Sequence, residues 1–404
     1  MNVTLHSSPY RKRPLGEVAD VISGFAFKST DFGDKGIPVI KIKNIRLGHV
    51  DLNEASYVDE KHLSIPDRFH VKSGDVLISL TGSHITQPNS VVGRIARHSN
   101  GQPRCLLNQR AGKIIAKDKR VCDPRFLFYA LSEQETMLAI AVKAHGAASQ
   151  ANVSPSQVES IEISFPPLPV QQRIAGILSA YDELIENSQR RIKILEAMAR
   201  GLYREWFVHF RFPGHENHPR VASALGEIPA GWEVRAVENI LARCAAGTVY
   251  RDADVKSEGD IPVIDQSTKE ILGFHDKAPD HKASSALPMA IFGDHTCKMQ
   301  LLMEPFSIGP NVVPFVADQG LPTTYVLYAV NSLVRTQEYK RHWTQLTAKE
   351  VVVADRETAH RFASLIQPML ETQEMHRRSI RNLRRTRDLL LPRLLSGQIN
   401  VEAS

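Results

Sequence analysis

Residues 165–174 read FPPLPVQQRI, three prolines leading straight into a long run with helical periodicity. From Pro169 the chain continues VQQRIAGILSAYDELIENSQRRIKILEAMARGLYREWF, and its apolar residues recur every seven positions in two interleaved rows. One row holds Leu178, Ile185, Ile192 and Ala199; the other holds Ile174, Tyr181, Ser188, Leu195 and Leu202. Alternating spacings of three and four mark a coiled-coil seam, and Pro169 suits a first helical turn, where its missing N–H costs nothing. Only Ser188 interrupts the seam. A helix of this length spans about 50–60 Å at 1.5 Å per residue. A core helix in a large bundle remains an alternative reading of the same rows.

A second rod, RFASLIQPMLETQEMHRRSIRNLRRTRDLLLPRLLSGQINVE, is read from Arg361 onward. Its rows are Ile366, Gln373, Ile380, Arg387 and Leu394, with Phe362, Met369, His376, Leu383 and Leu390 between them. Polar seam residues such as Gln373, His376 and Arg387 fix register at a cost in stability. Pro368 is expected to kink or start this helix, and Pro392 and Gly397 mark its end. Six arginines fall from Arg377 to Arg387, either a DNA-facing stripe or a solvated or partner-facing surface.

Working outward, the regions before each rod echo one another. LGEVADV near Leu15 returns as LGEIPAGWEV near Leu225, GIPVIKIKNI at Gly36 as DIPVIDQSTKEI at Asp260, and RFLFYAL at Arg125 as TYVLYAV at Thr324. The chain therefore reads as domain, rod, domain, rod, with boundaries at 1–165, 166–210, 211–355 and 356–404. Short β-branched runs (IPVIKI, DVLISL and AGKIIA; then IPVI, MAIF and VVPFV) broken by Gly, Pro, Asn and Asp predict mixed α/β (α+β) domains, with helices near FLFYALSEQ and VLYAVNSLV. Trp232 is expected to anchor a core. If the second rod returns along the first, the rods form an antiparallel coiled coil and the domains are related by an approximate two-fold axis. Two similar domains at a fixed separation suit a duplex read at two half-sites, and the rod acts as a ruler.

Composition sets outer limits. With 404 residues, 42% apolar and 23% charged, the chain is an ordinary globular one of two to three domains. No apolar run approaches the roughly 20 residues a membrane span needs. The N-terminus, MNVTLHSSPYRKRP, has no apolar core behind its charges, so a cytoplasmic protein with no membrane partner is expected. Cys105, Cys122, Cys244 and Cys297 form no CxxC pair and fit reduced thiols. His275, His281, His295 and Cys297 match no standard zinc spacing, and no metal site is expected. The net charge of +6 and a pI near 9.1 suit a polyanionic partner without naming one.

Taken together, SGFAFKSTDFGDKGIPVIKIKNI at 23–45, KSGDVLISLTGS at 72–83, the stretch ISFPPLPVQQRI…LYREWF at 163–207, LGEIPAGWE at 225–233 and RDLLLPRLLSGQINVE at 387–402 resemble the specificity (S) subunit of a Type I restriction-modification system. The resemblance spans nearly the whole chain. It implies two target-recognition domains on a bipartite double-stranded DNA target and antiparallel spacer helices that dock methyltransferase subunits, in two copies. It also implies a translocating restriction subunit in the larger assembly. In this reading the chain itself binds no cofactor; S-adenosylmethionine, ATP and Mg belong on the partners. The second copy departs further from the pattern: ALPMAIFGDHTCKM stands where the first has GDVLISLTGSHIT.

No catalytic role is expected. The only Pro-Pro lies in FPPLP rather than in an Asn/Asp-Pro-Pro-aromatic methyltransferase signature, and GxxxxGK[ST] is absent. Acidic residues followed by a lysine occur, as in DADVK at 252–256, a pattern too common to mark a nuclease centre. For DNA contact, Lys28, Lys41, Lys43 and Arg46 are placed to meet phosphates or guanine edges, while Asn44, Asn108 and Gln109 carry the paired donor and acceptor that suits adenine. Thr81, Ser83, His84 and Gln87 form a candidate reading loop; Lys269, Asp294, His295 and Lys298 are the candidates of the second copy. The alternatives are a coiled-coil scaffold or orphan subunit without sequence-specific binding, and a self-sufficient nuclease or methyltransferase.

Overall fold

The computed structural model describes residues 9–83, 91–147, 150–267, 269–336 and 341–401. The chain divides into two compact units, one formed by Met1–Glu186 with Arg381–Ser404 and the other by Asn187–Ile380. Both are mixed helix and sheet, an α+β architecture. The helices, in order, are α1 (Pro124–Ser132), α2 (Gln134–Val142), α3 (Pro155–Glu159), α4 (Leu168–Tyr203), α5 (Thr323–Val330), α6 (Trp343–Thr347) and α7 (Arg356–Leu395).

The strands repeat one plan. In the first unit Ala111–Ala116 lies between Ala19–Ser23 and Val76–Ser79, antiparallel to both. In the second, Val312–Ala317 lies between Leu241–Arg243 and Met289–Gly293 in the same way. Each IPVI is a strand that pairs in parallel with a later one, Val39 with Leu106 and Val263 with Ser307. Both IPVI and VLIS of the first unit are buried along their whole length, as continuous apolar runs covered on both faces should be. Each unit also pairs an early strand with the one just before a long helix: Lys12–Pro14 with Glu162–Ser164, and Glu233–Ala236 with Glu350–Val353.

One equivalence in the sequence is displaced. Leu15–Glu17 forms a 3-10 turn, with Val18 N–H bonded back to Leu15 O and Leu15 N–H to Ile161 O. Its counterpart is Val237–Asn239, where Ile240 N–H bonds to Val237 O and Val237 N–H to Lys349 O. Lys117 N–H then reaches Val18 O and Asp318 N–H reaches Ile240 O. The second LGE, at 225–227, instead belongs to a hairpin between Arg220–Ser223 and Gly226–Pro229. Gly226 there has φ +99°, a turn position that glycine fills without strain. The shared letters were local turn chemistry; the shared hydrogen-bond pattern marks the repeat. Trp232 is buried beside Phe207, Phe210 and Phe212, and its Nε1 donates to Asp355.

FPPLPVQQRI launches α4 through Gln171. The fully buried amide donates to Pro166 O (2.9 Å) and Val121 O (3.1 Å) and accepts from Asp123 N–H (3.0 Å). Asp123 in turn caps α1 by accepting from Arg125 N–H, so one glutamine ties two helix starts together. Pro169, in the first turn, has no N–H to leave unpaired. The second rod begins at Arg356, ahead of the Arg361 read from the sequence, because Asp355 accepts from Thr358 N–H (2.9 Å) and forms a cap. Pro368 therefore sits inside a continuing helix and does not start it. The helix stops at Leu395, with Gly397 at φ +73° just beyond.

Each unit contains a segment of both long helices. In the first, Ile174 and Leu178 share a core with Leu394 and Leu395, and Asp182 meets Arg387. In the second, Ala199 shares a core with Phe362 and Ile366, Trp206 packs on Phe362, and Glu196 meets Arg377. Rising numbers on α4 meet falling numbers on α7, so the helix segments run antiparallel within each unit. Ile174, Leu178, Ile185, Ser188, Ala199, Phe362, Ile366, Gln373, Ile380 and Leu394 are buried; Tyr181, Ile192, Leu195, Leu202, Met369, His376, Leu383, Arg387 and Leu390 are half-buried. None of the described helices is long and apolar enough to cross a membrane.

Candidate nucleic-acid interface

After its IPVI strand the first unit makes two consecutive turns. Lys41 caps the 3-10 turn Ile42–Asn44, and the Asn44 side chain accepts from Lys41 N–H (3.0 Å) and donates to Asp51 O (2.9 Å). Asn44 is only 2% exposed. Its amide is committed to the backbone, so the expected adenine reader is a structural brace. Lys41 lies over the Phe32 ring, 3.6 Å from its centre; burial, then neighbouring Lys43, hold its ammonium below the ordinary range. Lys43 and Arg46 are exposed. Their ion pairs, Lys43 with Glu54 at 4.0 Å and Arg46 with Asp51 at 3.8 Å, are of the exposed kind worth about 0–1 kcal/mol. Such pairs exchange readily for phosphate.

The second turn is Arg46–His49, closed by Arg46 N–H to His49 O (3.0 Å) with Gly48 at φ +82°. Gly48 and His49 pair in parallel with Ala96 and Arg97, which brings Arg94 beside Arg46. Burial, and then Arg46 itself, lower the Arg94 guanidinium pKa, a sign of like charges gathered at one edge. Arg94 escaped the sequence reading because nothing in VVGRIA marks it as a neighbour of KIKNIR.

Other candidates divide by burial. Lys28 is exposed, and its backbone N–H donates to Asp31. Gln109 is exposed, while half-buried Asn108 accepts from Arg110 N–H (3.4 Å). Thr81 is buried in the strand Thr81–Gly82, and its hydroxyl donates to Asn152 Oδ1 (2.8 Å), so it supports the sheet instead of reading bases. Ser83 is half-buried at the edge of the described chain. His84 and Gln87 lie outside the described residues.

In the second unit the turn after IPVI closes through Asp265 N–H to Glu270 O (2.8 Å). It is braced by Gln266, whose side chain accepts from His295 N–H (3.0 Å) and whose carbonyl accepts from Thr296 Oγ1 (3.0 Å). Lys269 is exposed there. Lys298 Nζ donates to Ser267 O (2.9 Å) and lies 3.5 Å from Glu270, which makes it a clamp on this turn. Asp294 is buried and accepts N–H bonds from His342 (2.9 Å) and Trp343 (2.8 Å), capping the start of α6. Named from the sequence as a DNA contact, its carboxylate is enclosed, with Oδ1 engaged by these two backbone N–H groups. His295 is half-buried beside it. His275 stacks on Tyr250 and His281 on Phe306. Among the described residues no group of three or more His, Cys, Asp and Glu is placed to hold a metal.

Beneath the first unit's sheets lies a polar network the sequence did not reveal. Asp182 on α4 is 8% exposed. It accepts from Tyr129 of α1 (2.5 Å), Arg97 of the strand Ile95–Arg97 (3.3 Å) and Arg387 of α7 (2.6 Å). Burial, and next the Asp182 charge, push the Tyr129 phenol far up, so it stays a donor. In the second unit the structurally matching helix position is Leu370, which is buried in an apolar core.

A duplicated α+β domain in which each copy feeds a long helix, with cations gathered on a braced turn, defines a class of modular recognition protein. Residues 7–197 match the family described as Type I restriction modification DNA specificity domain. The Type I restriction enzyme MjaIX specificity subunit of Methanocaldococcus jannaschii is 26% identical over 374 residues, covering 86% of this chain and 84% of that one. The EcoBI specificity subunit of Escherichia coli is 24% identical over 194 residues, 47% of this chain and 36% of that one. Among solved structures, the S subunit of a Type-I restriction-modification system from M. genitalium superposes with a TM-score of 0.60 at 15% identity over 98% of each chain, a likeness of fold. Residues 7–197 thus match a Type I DNA specificity domain, and over most of its length the chain is similar to the specificity subunits of Type I restriction-modification systems.

Proposed function

We propose that each globular domain of this subunit recognises one half of a bipartite double-stranded DNA target and that α4 and α7 set the half-site spacing. The observation that carries this reading is the repeated topology: the same central antiparallel strand pairing, a parallel partner for each IPVI strand and the same hand-over into a long helix occur twice. The helices dock methyltransferase subunits, in two copies, and a translocating restriction subunit joins the larger assembly. The chain is non-catalytic; S-adenosylmethionine, ATP and Mg act on the partners, in the cytoplasm. Lys28, Lys43, Arg46 and Gln109 in the first domain and Lys269 in the second are exposed and remain the contact candidates of choice. Phosphate contacts from such residues make affinity salt-dependent.

The test is methylome sequencing of cells carrying this chain with its methyltransferase, against cells lacking this chain alone. Loss of one bipartite methylated motif is the expected result. An unchanged methylome would favour the scaffold or orphan alternative. Cutting or methylation by the isolated chain, given metal and S-adenosylmethionine, would favour a self-sufficient enzyme.

A further inference from the structure

We propose that Leu47 reads the C5-methyl group of a thymine in the half-site bound by the first domain, an assignment that rests on the recognition role proposed above. Leu47 stands at the tip of the Arg46–His49 turn and is 63% exposed, an unusual place for a large aliphatic side chain on a tight, polar loop. Its backbone is fixed in advance. The turn is closed by Arg46 N–H to His49 O, flanked by the Ile45–Val50 bridge and held below by Asp51 N–H to Asn44 O (2.8 Å) and by the buried Asn44 amide. Gly48 and His49 are further pinned to Ala96 and Arg97 of the neighbouring strand. A side chain on so rigid a tip is presented with little ordering left to lose on binding.

The surroundings select the partner. Exposed Lys43 and Arg46 precede Leu47 on the same arm, in loose surface pairs with Glu54 (4.0 Å) and Asp51 (3.8 Å), and the parallel pairing of Gly48 and His49 with Ala96 and Arg97 adds Arg94 to this edge, so one apolar side chain projects beside a group of cations. A single leucine offers far too little apolar area to hold a protein, whose stable interfaces bury about 1,000 Å² or more. A duplex offers both complements at once: phosphates for the cations, and in the major groove the thymine methyl, the one apolar group on a base edge. In the second unit the single turn between IPVI and the next strand, residues 265–270, has no apolar side chain among its described residues. The methyl preference therefore attaches to one half-site.

The experiment uses the full complex with its methyltransferase subunits and its target duplex, in which thymines are replaced one at a time by deoxyuridine, removing only the methyl. The wild-type complex should weaken about fourfold at one thymine of one half-site, the worth of one buried methyl group. Leu47→Ala should weaken binding to the unmodified duplex by a similar factor and be indifferent to uracil at that position. Lys43→Ala and Arg46→Ala should weaken binding equally on thymine and uracil duplexes. Uracil sensitivity that persists in Leu47→Ala, or no sensitive thymine despite retained target preference, overturns the assignment to Leu47 alone. Loss of target preference by the wild-type complex itself overturns the recognition role and this assignment with it. Brightening of 2-aminopurine beside the site with wild type and not with Leu47→Ala would make Leu47 an intercalating wedge and overturn the methyl contact.

Discussion

Asn44 and Arg46 are two residues apart and differ in exposure: the Asn44 amide is enclosed and bonded to backbone, while Arg46 faces solvent. Removing the Asn44 amide leaves Lys41 N–H and Asp51 O without partners in a buried turn, so Asn44→Ala should lower stability by about 1–3 kcal/mol, read as a fall in Tm. Arg46→Ala should leave Tm unchanged, weaken DNA binding in the complex and reduce the salt dependence by roughly one phosphate contact. The residue types alone did not separate these roles. Asn, Asp and Thr serve equally to pair with bases and to brace the fold, and only the structure shows that Asn44 and Asp294 bond backbone and that Thr81 bonds the Asn152 side chain. Arg94 and Leu47 went unread for the converse reason: one becomes a neighbour of KIKNIR only through parallel pairing, and the other is apolar where polar contacts were sought. Acidity probes the same unit. His98 is buried, and desolvation lowers its pKa against weaker opposing pulls from Asp75 and the Pro103 carbonyl. The unfolded chain therefore takes up this proton first. Stability is full above about pH 6.5 and falls as pH drops toward the folded-state value, a slope that His98→Gln should reduce in urea titrations.

Among the elements, the long helices were the most legible, since a seven-residue repeat survives any context, whereas their starts depended on caps. The prolines announced α4, whereas no comparable signal marks the start of α7, which the Asp355–Thr358 hydrogen bond sets. The seam contains one clear local cost. Gln373 is 2% exposed and its Nε2 has no partner among the described residues, while the matching position of α4 is Ile185. Gln373→Leu should stabilise the second unit by about 1–2 kcal/mol, within the cost of one unmet buried polar group, read by denaturant midpoint. Asp182→Asn should do the reverse in the first unit. It withdraws a charge from Tyr129, Arg97 and Arg387 together, and a broken buried pair costs about 3 kcal/mol or more.

For the whole molecule, the ruler is testable by changing its length. Seven residues added to α4 after Glu186, with seven matching residues added to α7, keep the seam in phase. They should change the gap in the methylated motif while both half-site sequences stay the same, as methylome sequencing would show.

The first unit is assembled from 1–186 and from 381 onward, while the second is one unbroken segment. On the ribosome this inverts the order of completion. The unit whose larger segment is translated first stays unfinished, without Leu394, Leu395 and Arg387 against α4, until the stretch from Arg381 emerges, whereas the other unit closes as soon as Ile380 is free. A nascent chain that has not yet reached Arg381 therefore carries the 1–186 segment without the α7 residues that cover it, open to proteases and chaperones.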